Sequence, residues 1–157
     1  MINIAQIGVG YWGPNLLRNL VANKDVNLKT IVDLSAERRH FVESNYPNVL
    51  TTDEISDVLD DASIHAIVIS TPVETHYDLA IQALNAGKHI LVEKPIATSS
   101  EEVKAIDQLA QQQRLIAMVG HTFLFNNTVR TIKKLIEDGE LGEIRYIYSQ
   151  RVNLGRI

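Results

Sequence analysis

The sequence predicts an α/β fold: a doubly wound parallel sheet with helices on both faces. Three observations carry this. Short β-branched runs alternate with stretches of helical periodicity along most of the chain. The run AIVI inside residues 65–71 is apolar at every position, as a strand covered on both faces must be. A Gly-x-Gly-x-x-Gly spacing, Gly8, Gly10 and Gly13, directly follows the first apolar run.

The elements follow in order. INIAQI, residues 2–7, reads as a buried strand running into the first glycine. Residues 12–23 carry Leu16, Leu17, Leu20 and Val21 at helical spacing. Residues 27–33, NLKTIVD, read as a second strand. SAERRHFVESN follows as a helix with Ser35 as its N-cap. A short strand is expected around Val49 and a short helix around 53–59. Residues 65–71 form the next strand, and 74–86 a helix stopped by Gly87. KHILVE, residues 88–93, is a strand. Residues 99–113 form a helix capped by Ser99 or Ser100, with Glu102 in its first turn. LIAMVG, residues 115–120, is a sixth strand. Beyond Gly120 the pattern changes to a helix over 126–138, closed by Gly139. EIRYIYSQRV, residues 143–152, then alternates polar and apolar like a half-buried strand.

Composition narrows the function. Apolar residues make up 45% of the 157, enough for one sizeable core. A net charge of −4, with basic pairs only at Arg38-Arg39 and Lys133-Lys134, argues against a nucleic-acid or anionic membrane surface. Cysteine is absent, so a disulfide framework, a thiolate nucleophile and a cysteine zinc site are excluded. No His/Asp/Glu spacing suggests a metal site. The start of the sequence lacks the pattern of a signal peptide, and no apolar run approaches the ~18 residues of a membrane span. A cytoplasmic protein is expected.

Asp33 lies 20 positions after Gly13, at the end of the second strand. Strand, glycine loop, helix and acid together describe a dinucleotide site in a Rossmann domain; a tight turn without a ligand is the alternative. With a helix beginning near Tyr11, the Tyr11 and Trp12 amides lack intrahelical partners and face a pyrophosphate. Pro14 then falls in the first turn, where a missing N–H costs little. Trp12 either forms an apolar wall beside a nicotinamide or packs against neighbouring loops. Asp33 is expected to accept the adenosine ribose hydroxyls and to repel a 2′-phosphate, which favours NAD over NADP. Arg38, close by, suits either cofactor.

Two more loops stand at the ends of apolar strands: STPVETH, Ser70 to His76, and EKP, Glu93 to Pro95. With GYWGPN, AGKHILVEKP and GHTFLFN they resemble the Gfo/Idh/MocA oxidoreductases over the whole chain, most closely members acting on sugars or nucleotide sugars. The resemblance implies that Ser70, Thr71, Pro72 and His76 line the pyrophosphate and ribose side of the cofactor, although His76 could equally cap or pack. It implies Glu93, Lys94 and His121 near the nicotinamide, a cis Lys94–Pro95 peptide, and Lys94 as the catalytic lysine at the alcohol being oxidised. A fixed cation there favours the developing alkoxide.

Family members run to roughly twice this length and carry a substrate domain with a D-x-x-x-H histidine. Residues 1–122 are therefore expected to be the dinucleotide-binding domain, and 123–157 the first helix and strand of an incomplete second domain. Either the chain is the cofactor domain of a sugar or nucleotide-sugar dehydrogenase, or it binds NAD alone and is inactive by itself. The strand at 143–152 is expected to pair with its copy in a homo-oligomer, since an unpaired strand leaves its backbone groups unsatisfied.

Overall fold

The computed structural model describes residues 1–150. Six strands form one parallel sheet: β1 (Ile2–Ile7), β2 (Val26–Val32), β3 (Leu50–Thr52), β4 (Ala66–Ile69), β5 (His89–Val92) and β6 (Ala117–Val119). Their order across the sheet is β3-β2-β1-β4-β5-β6. The chain builds outward from β1 in one direction, then crosses back to place β4 on the other side. That reversal opens a crevice above the carboxyl ends of β1 and β4. The helices are α1 (Gly13–Ala22), α2 (Ala36–Asn45), α3 (Ser56–Leu59), α4 (His76–Asn85), α5 (Ser100–Gln113) and α6 (Asn127–Glu137).

Both faces of the sheet are covered, as the unbroken apolar run of β4 requires. Ile67 and Ile69 pack with Ala80, Leu84, Ile106 and Val58 on the α3–α5 face. Val68 turns the other way, into a cluster with Leu17 of α1 and Val42 of α2. The pairing of β1 with β2 shifts register: Ile4 stands opposite Leu28 and Ala5 opposite Thr30, so Lys29 is an extra residue in β2. Leu28 and Ile31 thereby share one face although three positions apart.

Local signals set most boundaries. Ser35 accepts the Arg38 amide at the start of α2. Ser99, not Ser100, caps α5 and forms a full capping box with Glu102. Gly87, at φ +75, ends the α4 segment, which begins with a 3₁₀ turn over Val73–Thr75. β3 lies one residue beyond Val49, whose side chain is buried in the core. The short helix predicted over 53–59 is confined to α3.

One expectation fails. Residues 144–150 form no strand, and 151–152 lie outside the described residues. Alternation supplies faces for a strand but no hydrogen-bond partner. No ladder partner for 144–150 exists among the described residues, and Tyr146, Ile147 and Tyr148 are all exposed. The chain consists of two compact units, the first Met1–Gly120 and the second beginning at His121. The second contains a 3₁₀ turn over Thr122–Phe125 and α6, whose N-cap Asn126 accepts from the Thr128 and Val129 amides.

The capping box makes a pH prediction. The Thr98 backbone and hydroxyl, then the Ser99 amide, hold the Glu102 carboxyl below its ordinary value of 4.5. A lowered folded value means stabilisation that is complete above about 4.5 and lost as pH falls through the lower folded value. In urea titrations, Glu102→Gln is expected to be less stable than wild type at pH 7, with the gap closing as pH falls through the lowered folded value. Ser99→Ala is expected to cost about 1 kcal/mol.

Candidate functional site

The first unit gathers the sequence-predicted residues at the carboxyl ends of its strands. Gly8 follows β1, Asp33 follows β2, Ser70 and Thr71 follow β4, and Glu93 and Lys94 follow β5. Parallel strands place all these ends on one edge of the sheet.

The glycine loop is fastened from below. Gln6 is completely buried in β1. Its Nε2 donates to Gly8 O at 2.9 Å and Gly13 O at 3.0 Å, and approaches Ser70 Oγ at 3.3 Å. Ser70 Oγ in turn donates to Gly8 O at 2.7 Å. Gly8 has φ +90, and a Cβ there would meet Ser70 O at 2.9 Å. A Cβ on Gly13 would stand 2.6 Å from Gly8 O. That close approach moves the helix start. Residues 10–12 bend over the Gly8 carbonyl first, and α1 begins at Gly13 rather than near Tyr11, with Trp12 as N-cap. The Tyr11 and Trp12 amides therefore belong to the bend, while Pro14 does fall in the first turn as expected.

Gly10 is different. Nothing lies within 4 Å of a Cβ built there, and its φ is not in the left-handed region. Neither packing nor backbone conformation demands glycine at this position. Open space over the middle glycine of a strand–loop–helix turn fits a ligand approaching the loop backbone, so this cradle passes a physical test for a dinucleotide phosphate.

Asp33 closes the cradle on the β2 side. Its Oδ2 accepts the Val9 amide at 2.7 Å and its Oδ1 accepts the Ser35 amide at 2.9 Å. Each oxygen retains a second lone pair, so the carboxylate is oriented without being exhausted. The arginine joined to this segment is Arg39, not Arg38. Arg39 Nη1 donates to Asp33 O at 2.8 Å, and its Nη2 pairs with Asp53 at 3.2 Å. The Arg38 side chain is exposed and forms no ion pair among the described residues.

On the β4 side, Thr75 Oγ1 donates to Pro72 O, so the hydrogen between Thr71 Oγ1 and Thr75 Oγ1 comes from Thr71. His76 packs into the fold at the start of α4. It is 2% exposed, and both ring nitrogens face backbone carbonyls, Pro95 O at 2.8 Å and Thr71 O at 2.9 Å. On the β5 side the Lys94–Pro95 peptide is cis. The Glu93 carboxylate lies over Gly120, where a Cβ would stand 3.1 Å from Oε1, and its Oε2 accepts the Lys94 amide. The Lys94 side chain is exposed, and its ammonium forms no bond among the described residues. His121, also exposed, opens the second unit. No metal-binding cluster of His, Asp and Glu occurs among the described residues, and no helix there is long and apolar enough to cross a membrane. The support from Gln6 and Arg39 was not anticipated. A polar residue one place before the end of a buried strand was the available signal for Gln6.

Residues 2–121 match the family model described as oxidoreductase family, NAD-binding Rossmann fold. The chain belongs to the Gfo/Idh/MocA oxidoreductase family. Among the relatives of this Gfo/Idh/MocA chain, the uncharacterized oxidoreductase YdgJ of Escherichia coli is 32% identical over 94% of the chain and 42% of its own length. The 4-carboxy-2-hydroxymuconate-6-semialdehyde dehydrogenase of a Sphingobium species is 31% identical over 98% and 50%. Among solved structures, scyllo-inositol dehydrogenase from Lactobacillus casei, with bound NAD(H) and scyllo-inositol, superposes with a TM-score of 0.84 at 25% identity, covering 91% of this chain and 43% of that one. The Gfo/Idh/MocA chain thus spans half or less of the length of these three proteins.

The three glycines are expected to separate experimentally. Gly13→Ala should unfold the loop and lower the melting temperature sharply, because its Cβ meets backbone. Gly10→Ala should leave stability within about 1 kcal/mol of wild type while abolishing nucleotide binding. Gln6→Leu, which removes the donor shared by the Gly8 and Gly13 carbonyls, should cost about 1–3 kcal/mol in urea unfolding.

Proposed function

We propose that this chain holds the cofactor of an NAD-dependent dehydrogenase that oxidises a secondary alcohol of a sugar or nucleotide sugar. The observation that carries this is the open space over Gly10, beside a carboxylate oriented by Val9 and Ser35. NAD, when bound, supplies the acceptor for hydride at C4 of its nicotinamide. The chain's own residues do the rest. The glycine loop and the Tyr11 and Trp12 amides hold the pyrophosphate, and the side chain of Trp12 flanks the nicotinamide. Asp33 accepts ribose hydroxyls with its remaining lone pairs. Ser70 supports the loop from beneath, while Thr71 and Pro72 border the cofactor. Glu93 lies toward the nicotinamide. Lys94 presents its ammonium to the alcohol oxygen and stabilises negative charge as it develops there.

The inositol dehydrogenase with NAD(H) supports both the cofactor and a polyol substrate; the muconate semialdehyde dehydrogenase shows that the family fold serves other substrates as well. The residues from 123 onward are proposed to open a substrate domain. A cytoplasmic location belongs to the same proposal.

Calorimetry with NAD and NADP tests it. NAD is expected to bind more tightly, since a 2′-phosphate meets the Asp33 carboxylate. Asp33→Asn, which keeps one acceptor, is expected to weaken NAD and narrow the gap to NADP. Tighter binding of NADP by the wild type would reassign the pocket to Arg38 and a 2′-phosphate.

Self-association through residues 143–152 is proposed as well. Light scattering is expected to find a dimer for the intact chain and a monomer for one ending at Gly142. Monomers in both cases at the same high concentration would remove the idea.

A further inference from the structure

His76 is the one buried histidine among the described residues. It is the first residue of α4, and its ring lies between two carbonyl oxygens, Thr71 O at Nε2 and Pro95 O at Nδ1. Carbonyl oxygens only accept. A neutral imidazole has one N–H and one lone pair, so it satisfies one carbonyl and sets lone pair against lone pair at the other. Both contacts are hydrogen bonds only when both nitrogens carry hydrogen. Among the described residues neither carbonyl takes a backbone N–H, and no carboxylate pairs with His76. The N-terminus of α4 opposes a cation there. Two carbonyl dipoles aimed at the ring, each in a charge-assisted hydrogen bond, offset that opposition.

The two carbonyls belong to different segments. Thr71 follows β4 and opens the TPVETH stretch. Pro95 follows Lys94 after β5. β4 and β5 are paired up to Ile69 and Val92, and Glu93 N still donates to Ile69 O. Past that point the sheet no longer sets the spacing of the two segments, and the imidazole takes over.

We propose that His76 is a positioning residue, protonated on both ring nitrogens, that braces the Thr71 segment against the Lys94 segment and so sets where the Lys94 ammonium stands relative to the cofactor side of the site. The consequence for Lys94 rests on the function proposed above. The brace itself requires no cofactor. The nearest charges in sequence, Glu74 and Asp78 on one segment and Glu93 and Lys94 on the other, form no ion pair with the ring.

Ring-¹⁵N labelling of histidine in the full chain tests the brace by NMR, and His76→Gln assigns the signal among the five histidines. At pH 6.5, with or without NAD, His76 is expected to show two ring N–H protons, both exchanging slowly with water. A single ring N–H overturns the proposal. His76→Gln has one side-chain nitrogen and cannot reproduce the span between the two carbonyls. Backbone amide shifts are expected to move in both 71–76 and 93–97 while the rest of the sheet is unchanged. NAD affinity should fall roughly tenfold or more, the effect of losing one charge-assisted hydrogen bond. Shifts confined to 71–76 overturn the coupling. Should His76→Gln fail to fold, nuclear Overhauser contacts to Thr71 and Pro95 assign the wild-type ring, and its spectrum decides. Two N–H signals in a chain that binds neither NAD nor NADP would support the brace and refute the cofactor assignment separately.

Discussion

The site depends first on one buried side-chain amide. A chain that leaves a strand, bends over its own carbonyl and enters a helix within five residues leaves backbone groups facing inward, away from water. A carbonyl buried without a donor costs about 1–3 kcal/mol. Gln6 meets this by presenting Nε2 to the carbonyls of Gly8 and Gly13 at once. Its two hydrogens determine how far apart those glycines stand. The Gly13 Cα must then come so close to Gly8 O that no larger residue fits. Everything above the loop, including the open face of Gly10, inherits this geometry.

The same economy of polar groups runs through the neighbouring strand ends. Residues that look like ligand contacts in the sequence first serve the scaffold. Ser70 directs its hydroxyl into the Gly8 carbonyl, and His76 uses both ring nitrogens on backbone. Asp33 holds the Val9 amide, tying the ends of β1 and β2 together, and keeps lone pairs to spare. Among the described residues, the Lys94 ammonium and the open side of Gly10 are left unused by the protein. Groups held by such second partners lose little entropy when a ligand arrives, which is the physical content of preorganisation.

The opposite end of the sheet carries polar fastenings of its own. The extra residue Lys29 in β2 reaches Asp61 and Ser63, and the Asp61 carboxyl is held well below the ordinary carboxylate range by the Lys29 ammonium and then by Ser63. Lys88 is buried, with its ammonium on the carbonyls of Asp61 and Ile64. His65 and His89 each accept a backbone amide of the adjacent segment at Nδ1, from Asn3 and Ile116. These bonds join strand starts far apart in sequence. They lie at the edge away from the site, so they stabilise the sheet without occupying the crevice.

By itself the sequence determined the order of elements, the parallel sheet, the glycine loop and its acid, because these rest on local periodicity, capping and spacing. Ser35, Gly87 and Ser99 act within one turn of their own helices, and AIVI is apolar whatever covers it. Tertiary structure decided what depends on partners distant in the chain. The start of α1 moved to Gly13 because Gly8 O, held by Gln6, stands in the way of anything earlier. The guanidinium beside Asp33 proved to be that of Arg39, because α2 turns Arg39 toward the strand end and Asp53. His76 became a buried brace because α4 begins between two loops that only the sheet brings together. Residues 144–150 show the converse: alternation survived in the sequence, but a strand exists only where another backbone supplies its hydrogen bonds.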